Sequence, residues 1–193
     1  GTQMIAKGLD FPNVRLVGVV NADTALALPD FRASERTFQL ITQVAGRAGR
    51  ADHPGRVIVQ TLSPDEPAIV CAREHDYETF AAAELESRKT FGLPPVTRMA
   101  RVVCRDRDPG EAEHRARDIA DRLRSLPGLA DRLTVNGPQP CTLSKINDHF
   151  RFAVELFAPT APALIDALTR LRTAGAIHAD THTAIDPDPV SLL

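Results

Sequence analysis

The order of apolar patterns after residue 95 constrains the fold more than any other feature of this sequence. Two stretches with helical spacing alternate with four short apolar stretches that are typical of strands. The predicted helices are Pro109–Leu126 and Ala161–Ala174, and the predicted strands are Arg98–Arg105, Leu133–Gly137, Phe150–Ala158 and Ala179–Ile185. Each helix gathers its apolar side chains on one face, which can cover one side of a sheet. The order βαββαβ therefore predicts a ferredoxin-like domain over residues 96–193.

The beginning of the chain carries a different pattern, in which a helix lies between two strands. Val14–Val20 is almost continuously apolar and β-branched, as in a strand of a parallel sheet that is buried on both faces. In the helix that follows, Ser34 is the predicted N-cap, and the second strand is Gly55–Thr61. The apolar positions at helical spacing are Phe38, Ile41, Val44, Ala45 and Ala48. This order predicts that residues 1–64 are part of a doubly wound α/β domain with a parallel sheet.

Residues 65–95 are predicted to be a helical connector between these two parts. Between Asp65 and Lys89 the sequence is polar and favours helix, with seven acidic side chains and three basic ones. The run from Gly92 to Pro95 ends with two prolines, which cannot continue a helix. The connector is therefore expected to stop there.

Composition excludes some classes of protein. The 193 residues are 43% hydrophobic, enough for a sizeable core, and the net charge of −2 gives no overall basic field. The sequence has no apolar run long enough to span a membrane and no signal peptide, so no membrane partner is predicted. Its three cysteines lie far apart with no CxxC pair, which predicts a cytoplasmic protein with no metal site here. Cys71, Cys104 and Cys141 are expected to fill apolar gaps.

The stretch Gln43–Arg50, QVAGRAGR, is the clearest candidate for chemistry. On a helix, Gln43, Arg47 and Arg50 stand at i, i+4 and i+7 and share one face. Planar guanidinium groups suit phosphate oxygens, and the two glycines allow another surface to approach closely. The residues alone leave a second interpretation open, a solvated helix end whose basic side chains complement the helix dipole.

QVAGRAGR resembles motif VI of superfamily-two helicases, and the opening Gly1–Val14, GTQMIAKGLDFPNV, resembles motif V. Joined by Val20–Gln43, the two motifs are similar to those of the PriA family of replication-restart helicases. Further resemblance to that family's C-terminal domain lies in Gly92-Leu-Pro-Pro95, the Gly137-Pro138 turn and the ending Ile185–Val190. The resemblance thus covers essentially the whole chain.

The resemblance implies that the first part of the chain is a portion of the second RecA-like helicase lobe. It also implies that the arginines of motif VI contact the phosphates of ATP, with Arg50 as the arginine finger. The residues that would lie on the nucleotide side of the cleft are Gln43, Arg47, Arg50, Gly8 and Asp10. Those that would lie toward single-stranded DNA are Thr2, Gln3 and Lys7.

As a whole, the resemblance implies an ATP-dependent 3′ to 5′ DNA helicase that restarts stalled forks by primosome assembly, with roles in repair and recombination. The implied cofactors are ATP with magnesium, and zinc whose ligands lie upstream of this segment. The implied partners are single-stranded and forked DNA, the single-stranded DNA-binding protein and other primosome proteins. The sequence contains no GxxxxGK[ST], and Gly1 stands inside a motif. We therefore expect a segment of a larger protein that does not hydrolyse ATP alone.

Two other functions remain open. One is a non-enzymatic module that holds DNA or a partner protein, and the other is a different superfamily-two DNA helicase. The family-like ending Ile185–Val190 weighs against the latter.

Two smaller patterns also have more than one interpretation. His178, Asp180 and His182 alternate on a predicted strand and could share a metal ion, although the solvent face of a strand is the simpler account. Eight arginines cluster in and around the helix that starts at Pro109. They are Arg98, Arg101, Arg105, Arg107, Arg115, Arg117, Arg122 and Arg124. They could form a solvated, salt-bridged face or a contact for DNA or a partner.

Overall fold

The computed structural model of the chain describes residues 14–46, 48, 55–129, 132–178 and 180–192. The chain divides into two compact units, a first unit of residues 1–87 and a second unit of residues 88–193. The sequence-based division at residues 64 and 95 stays a prediction. Within the described ranges, no helix has the length and apolar character needed to cross a bilayer. The α/β class predicted from the sequence is confirmed.

The first unit contains a parallel pair of strands, β1 and β2, in which Leu16 lies opposite Arg56 and Val19 opposite Val59. Its strands and helices are β1 (Leu16–Val19), α1 (Asp23–Leu26), α2 (Ala33–Ala45), β2 (Arg56–Val59), α3 (Pro67–Glu74) and α4 (Tyr77–Thr90). The predicted burial of the first strand on both faces is wrong, since Leu16 is 60% exposed. Among the described residues the sheet has two strands, and packing on one side leaves the other open.

Aromatic stacking holds the core of the first unit. The Phe38 ring lies parallel to the Phe80 ring with centroids 4.3 Å apart, and Tyr77 lies at the edge of this pair, 6.1 Å from Phe38. The buried members of the cluster are Ala22, Phe38, Ile41, Ala68, Ile69, Cys71, Ala72 and Phe80. Helices α3 and α4, predicted as a connector, thus supply five of these eight buried residues.

Helix α2 begins two residues earlier than predicted, because its start is fixed by a different side chain. Its N-cap is Arg32 and not Ser34. The buried Asp30 carboxylate accepts a 3.0 Å hydrogen bond from the backbone N–H of Arg32 and pairs with the Arg36 guanidinium at 2.9 Å. The carboxylate accepts from the backbone N–H of the N-cap residue, and its negative charge lies at the helix N-terminus, where it is favourable. An aspartate three residues before the helix therefore replaces the predicted serine cap.

The second unit is a four-stranded antiparallel sheet with strand order β4-β5-β3-β6. Its elements are β3 (Arg98–Asp106), α5 (Pro109–Arg124), β4 (Thr134–Ile146), β5 (His149–Ala158), α6 (Ala161–Thr173) and β6 (Thr183–Pro187). Each of the three strand pairs is antiparallel. This order along the chain and across the sheet confirms the ferredoxin-like prediction.

One face of this sheet packs against the two helices. Alternate residues of the central strands, such as Val102, Val154 and Leu156, are fully buried there, as a pleated strand with a period of two requires. The helices contribute Ala112, Ala116, Ile119, Ala120 and Leu123 from α5 and Ala163, Leu164, Ala167 and Leu171 from α6. Small alanines let the helices approach the sheet closely, so that the longer side chains fill the interior between them.

Helix α5 starts where the sequence predicts and for a reason the sequence shows. The Asp108 carboxylate accepts hydrogen bonds from the N–H groups of Gly110 and Glu111, and Pro109 occupies the first turn. Aspartate at the N-cap followed by proline is a strong signal for a helix start.

The largest differences from the predicted strand boundaries are in β4 and β6. Strand β4 continues through Ile146, nine residues beyond the predicted end at Gly137, with register shifts that absorb the prolines on the way. Strand β6 is Thr183–Pro187 rather than Ala179–Ile185, because Asp180 folds the preceding residues into a turn. In β4 the prolines thus mark a bulge, where apolar spacing alone predicts the end of the strand. Before β6 the aspartate marks a turn, where apolar spacing alone predicts a strand.

The start of β4 requires glycine at position 137. Gly137 has φ +100°, and a Cβ there would lie 2.6 Å from the carbonyl oxygen of Ala153. The peptide bond to Pro138 is cis. The Arg124 guanidinium at the end of α5 donates a 2.6 Å hydrogen bond to the Gly137 carbonyl. Helix α5 is thereby tied to the bulged strand.

Candidate functional site

Of the residues predicted to form the nucleotide site, the structure describes Gln43. The other predicted residues lie outside the described ranges. Gln43 lies in the last turn of α2 with its side chain exposed, while Phe38 and Ile41 on the opposite face are buried. The predicted helix is too long, because it ends at Ala45 with Gly46 as its C-cap. The helical spacing from which a common face with Gln43 was predicted therefore does not continue past Ala45. Arg47 and Arg50 themselves lie outside the described residues, and their roles stay predictions.

The opening segment also falls outside the described residues. It holds the predicted nucleotide-side residues Gly8 and Asp10 and the predicted DNA-side residues Thr2, Gln3 and Lys7. Their roles stay predictions. Of the predicted site residues, the structure therefore fixes the orientation of Gln43.

A cavity of about 560 Å³ lies in the first unit beside the end of α2. Most of its lining is aliphatic, from Ile41 and Ala45 of α2 and from Val57 and Val59 of β2. Among the described lining residues the one guanidinium is that of Arg73, which bonds to the neighbouring carboxylate of Glu74. This described part of the lining suits apolar groups.

Sequence reasoning missed a polar contact at the carboxyl ends of β1 and β2. The Asp23 carboxylate accepts a 2.7 Å hydrogen bond from the Thr61 hydroxyl and a 2.9 Å bond from the Leu62 N–H. These two donors, the Thr61 hydroxyl foremost, hold the pKa of Asp23 below its ordinary value of 3.8. The sequence could have indicated this contact, because a polar residue follows each of the two parallel strands. Residues at the carboxyl ends of parallel strands meet at one edge of the sheet.

Most arginines of the predicted basic patch pair with carboxylates. On α5, Arg117, Arg122 and Arg124 pair with acidic side chains one turn earlier on the same helix. On the sheet, Arg98 pairs with Asp188 and the buried Arg101 lies 3.9 Å from Glu155. This pattern favours the salt-bridged face of the two interpretations.

The His178, Asp180 and His182 pattern is not a strand face. Asp180 accepts from the backbone N–H groups of His182 and Thr183, and the former of these bonds is the main cause that lowers the pKa of Asp180. The His182 ring nitrogen Nδ1 lies 3.3 Å from an Asp106 oxygen. Among the described residues, no group of three His, Cys, Asp or Glu side chains is arranged to hold a metal ion. Asp180 acts here as the cap of a turn.

The three cysteines are free and buried, as predicted for gap-filling residues. Burial raises the pKa of the Cys104 thiol to about 11 and also raises the pKa of Cys141. Both thiols therefore stay protonated at neutral pH and are poor nucleophiles. No role in catalysis is assigned to the three cysteines.

Comparison with known proteins covers the chain from end to end. Replication restart protein PriA of Treponema pallidum is 41% identical over the full chain, which matches 29% of that protein's length. The same-named protein of Haemophilus influenzae is 40% identical over the full chain, which matches 26% of its length. That of Bacillus subtilis is 46% identical over 79% of the chain and 19% of the protein. The chain spans less than a third of these relatives.

The family described as Primosomal protein N C-terminal domain matches residues 89–190, which is more than half of the chain and nearly all of the second unit. The ferredoxin-like sheet and its two helices lie inside this match. The chain belongs to the Primosomal protein N C-terminal domain family, the PriA family that its motifs indicated.

Proposed function

We propose that the chain is the C-terminal part of an ATP-dependent 3′ to 5′ DNA helicase that restarts stalled replication forks by primosome assembly. The observation that carries the proposal is similarity over the full chain to proteins named Replication restart protein PriA, at about two residues in five. Similarity of this extent includes residues 1–50 as well as the C-terminal domain. Both sequence motifs therefore lie inside the matched region.

In this proposal, Arg47 and Arg50 contact the phosphates of ATP and stabilise the charge that develops during phosphoryl transfer. Gln43, exposed at the end of α2, contacts the nucleotide together with Gly8 and Asp10. Burial of Phe38 and Ile41 supports this role, because it leaves Gln43 on the exposed face of α2. The residues that couple the cleft to single-stranded DNA are Thr2, Gln3 and Lys7.

The proposal assigns the remaining half of the ATPase site to residues outside this chain. The 193 residues contain no GxxxxGK[ST] sequence, whose backbone, lysine and hydroxyl bind phosphates and magnesium. The chain alone is therefore expected to leave ATP unhydrolysed. Its proposed partners are single-stranded and forked DNA, the single-stranded DNA-binding protein and primosome proteins, in the cytoplasm, with zinc held elsewhere in the full-length protein.

The test is to combine the chain with the N-terminal remainder of the Treponema pallidum relative, as a fusion and as a mixture. ATP hydrolysis is measured with and without single-stranded DNA, and each part alone serves as the control. DNA-stimulated hydrolysis in the combined sample, and in neither part alone, supports the proposal. If both parts fold and bind DNA but the fusion hydrolyses no ATP, the chain is a binding module instead.

The arginine finger has a separate test in the same fusion. Because a finger supplies about 10³- to 10⁵-fold in rate, Arg50→Ala is expected to reduce DNA-stimulated ATP turnover by at least about 10³-fold while ATP still binds. The matched control is Arg73→Ala, since Arg73 belongs to the same unit, is 72% exposed and pairs with its sequence neighbour. Equal turnover in the two variants would remove Arg50 from the site.

A further inference from the structure

The end of the β4–β5 hairpin is a fixed structure in the second unit. Asn147 and Asp148 both have positive φ, +48° and +62°, as a two-residue hairpin turn of type I′ requires. The turn places Ile146 directly opposite His149. The His149 ring nitrogen Nδ1 lies 2.8 Å from the Asn147 carbonyl oxygen, which holds the imidazole at the turn.

Two arginines lie side by side just behind this turn. Arg105 of β3 is directly opposite Arg151 of β5 in the antiparallel register. Like charges in this position repel each other and destabilise the sheet unless something neutralises them. The hydrogen bonds of both side chains go to backbone carbonyls, from Arg105 to Thr181 and from Arg151 to Leu143 at 3.3 Å. Carbonyl oxygens orient the guanidinium groups but leave their charge in place.

Other arginines near this pair on the sheet do have carboxylate partners. Arg101, four residues before Arg105 on β3, lies 3.9 Å from Glu155, and Arg115 of α5 lies 3.8 Å from Asp106. Within the part of the chain that the structure describes, no carboxylate comes within ion-pair distance of Arg105 or Arg151. On the described strands of the second unit, Arg98 and Arg101 therefore have carboxylate partners, and Arg105 and Arg151 do not.

The two guanidinium groups open into a cavity of about 540 Å³. The other described lining residues are Ile146, Asn147, His149 and Thr181, and none of these has a carboxylate. The cavity size is that of a site for a small molecule or a single nucleotide unit. Arginine forks bind phosphate oxygens in pairs, and amide and hydroxyl side chains add donors. The apolar Ile146 can contact a sugar or a base edge.

On the described strands of the second unit, the arginine charge without a carboxylate partner is confined to this pair. The next cation on the hairpin, Lys145, lies 3.4 Å from Asp148, and on the other side His182 lies 3.3 Å from Asp106. A groove that follows a nucleic-acid backbone needs a series of free cations, one for each successive phosphate. A single pair of arginines instead suits one phosphate with more than one negative charge. A phosphate monoester carries about −1.5 to −2 at pH 7, whereas a phosphodiester carries about −1.

We propose that the cavity between β3, β5 and the β4–β5 turn binds a phosphate monoester through Arg105 and Arg151. The group is either the terminal phosphate of a nucleic-acid strand or free inorganic phosphate, which share this chemistry. The site lies wholly in the second unit. It does not depend on the proposed nucleotide contacts of residues 1–50, and failure of the helicase proposal leaves it unchanged.

The test uses the 193-residue chain and two ten-residue thymidine oligonucleotides that differ only in a 5′-phosphate or a 5′-hydroxyl. Both carry a fluorophore at the 3′ end, and binding is followed by anisotropy at constant ionic strength. We expect the phosphorylated strand to bind at least about tenfold more tightly, since bidentate charge-assisted contacts to one group have that strength. Arg105→Gln and Arg151→Gln should each abolish the preference, and Arg105→Lys should restore part of it.

The matched control is Arg117→Gln, because Arg117 is an exposed arginine of the same unit that pairs with Glu113 of its own helix. It should leave the preference unchanged. Thermal melting of every variant checks that the fold is kept.

Inorganic phosphate is the second probe and distinguishes the two sources of the group. If the strands bind equally but phosphate binds saturably and Arg105→Gln abolishes that binding, the site exists and its ligand is free phosphate. The proposal is overturned if the 5′-phosphate gives no gain in affinity that depends on Arg105 and Arg151, and inorganic phosphate shows no binding that depends on them. A preference that persists in both glutamine variants overturns it equally.

Discussion

The two units bury their sheets to very different extents. In the second unit, helices α5 and α6 cover one face of a four-stranded sheet, and Val102 and Leu156 are fully buried. In the first unit, the described sheet has two strands, and Leu16 and Ile58 are 60% and 54% exposed. The comparison shows that apolar composition alone does not decide burial. The number of strands and the helices packed on each face decide it.

The largest expected effect comes from removing a core side chain in either unit. Phe38→Ala removes the ring stacked on Phe80, and Leu156→Ala empties the centre of the second sheet. Each should lower the free energy of unfolding by about 2–5 kcal/mol. Because each side chain belongs to its own cluster, faster amide exchange should appear in the peptides of the substituted unit alone. Hydrogen–deuterium exchange with mass spectrometry measures this.

The control for both core substitutions is Ile165→Ala, at a position of α6 that is 61% exposed. Its effect should stay within about 0.5 kcal/mol. Tyr77, the single tyrosine of a chain without tryptophan, lies beside Phe38 and reports on the first unit by fluorescence. If Leu156→Ala shifts the tyrosine transition as much as Phe38→Ala does, the two units unfold together. The expectation that each substitution affects its own unit alone is then wrong.

A smaller effect is expected at the glycine that shapes β4. Gly137→Ala places a Cβ 2.6 Å from the Ala153 carbonyl at φ +100°, which should cost at least about 2–3 kcal/mol. Gly128→Ala is the matched control, because Gly128 also has positive φ but open space around it. It should cost about 1–2 kcal/mol from backbone strain alone. Urea unfolding followed by circular dichroism compares them, and equal losses would show that the contact with Ala153 relaxes.

The smallest effect concerns acid and the first unit. The hydrogen bond from Thr61 lowers the pKa of Asp23, so its ionised form stabilises the fold above the ordinary value of 3.8. That contribution disappears as the pH falls below 3.8 and through the lowered pKa of the folded state. Asp23→Asn should therefore lose stability at pH 7 and show a weaker decline between pH 5 and about pH 2. Tyrosine fluorescence during urea unfolding at several pH values measures both, and parallel curves would contradict the assignment.

The sequence predicts the second unit well because its periodicities are strong and local. Helix α5 carries an aspartate N-cap, a proline in its first turn and an apolar stripe, and all three signals agree. Strand β4 is predicted less well, since prolines at 138 and 140 normally end a strand. Here the strand continues past these prolines to Ile146 through register shifts in its pairing with β5. The apolar spacing within one segment cannot predict such a pairing with another segment.

Some features of the candidate sites could be predicted from the sequence and others could not, for physical reasons. Gln43 is exposed as expected because an amphipathic helix fixes which side chains face outward. The position of Arg105 opposite Arg151 could not be predicted from the sequence, because cross-strand neighbours depend on register and the two residues are far apart in sequence. The ion pairs of α5, at spacings of three and four, could have been read from the sequence alone.

The prolines of the second unit have a consequence for solubility. Strands β4 and β6 form the two outer edges of the described sheet, and outer edges offer unpaired N–H groups to strands of other molecules. Pro138 and Pro140 lie on one edge strand and Pro187 on the other, and proline has no N–H to offer. Neither edge therefore presents an unbroken row of donors. The domain should resist edge-to-edge aggregation even when the cell holds it at high concentration.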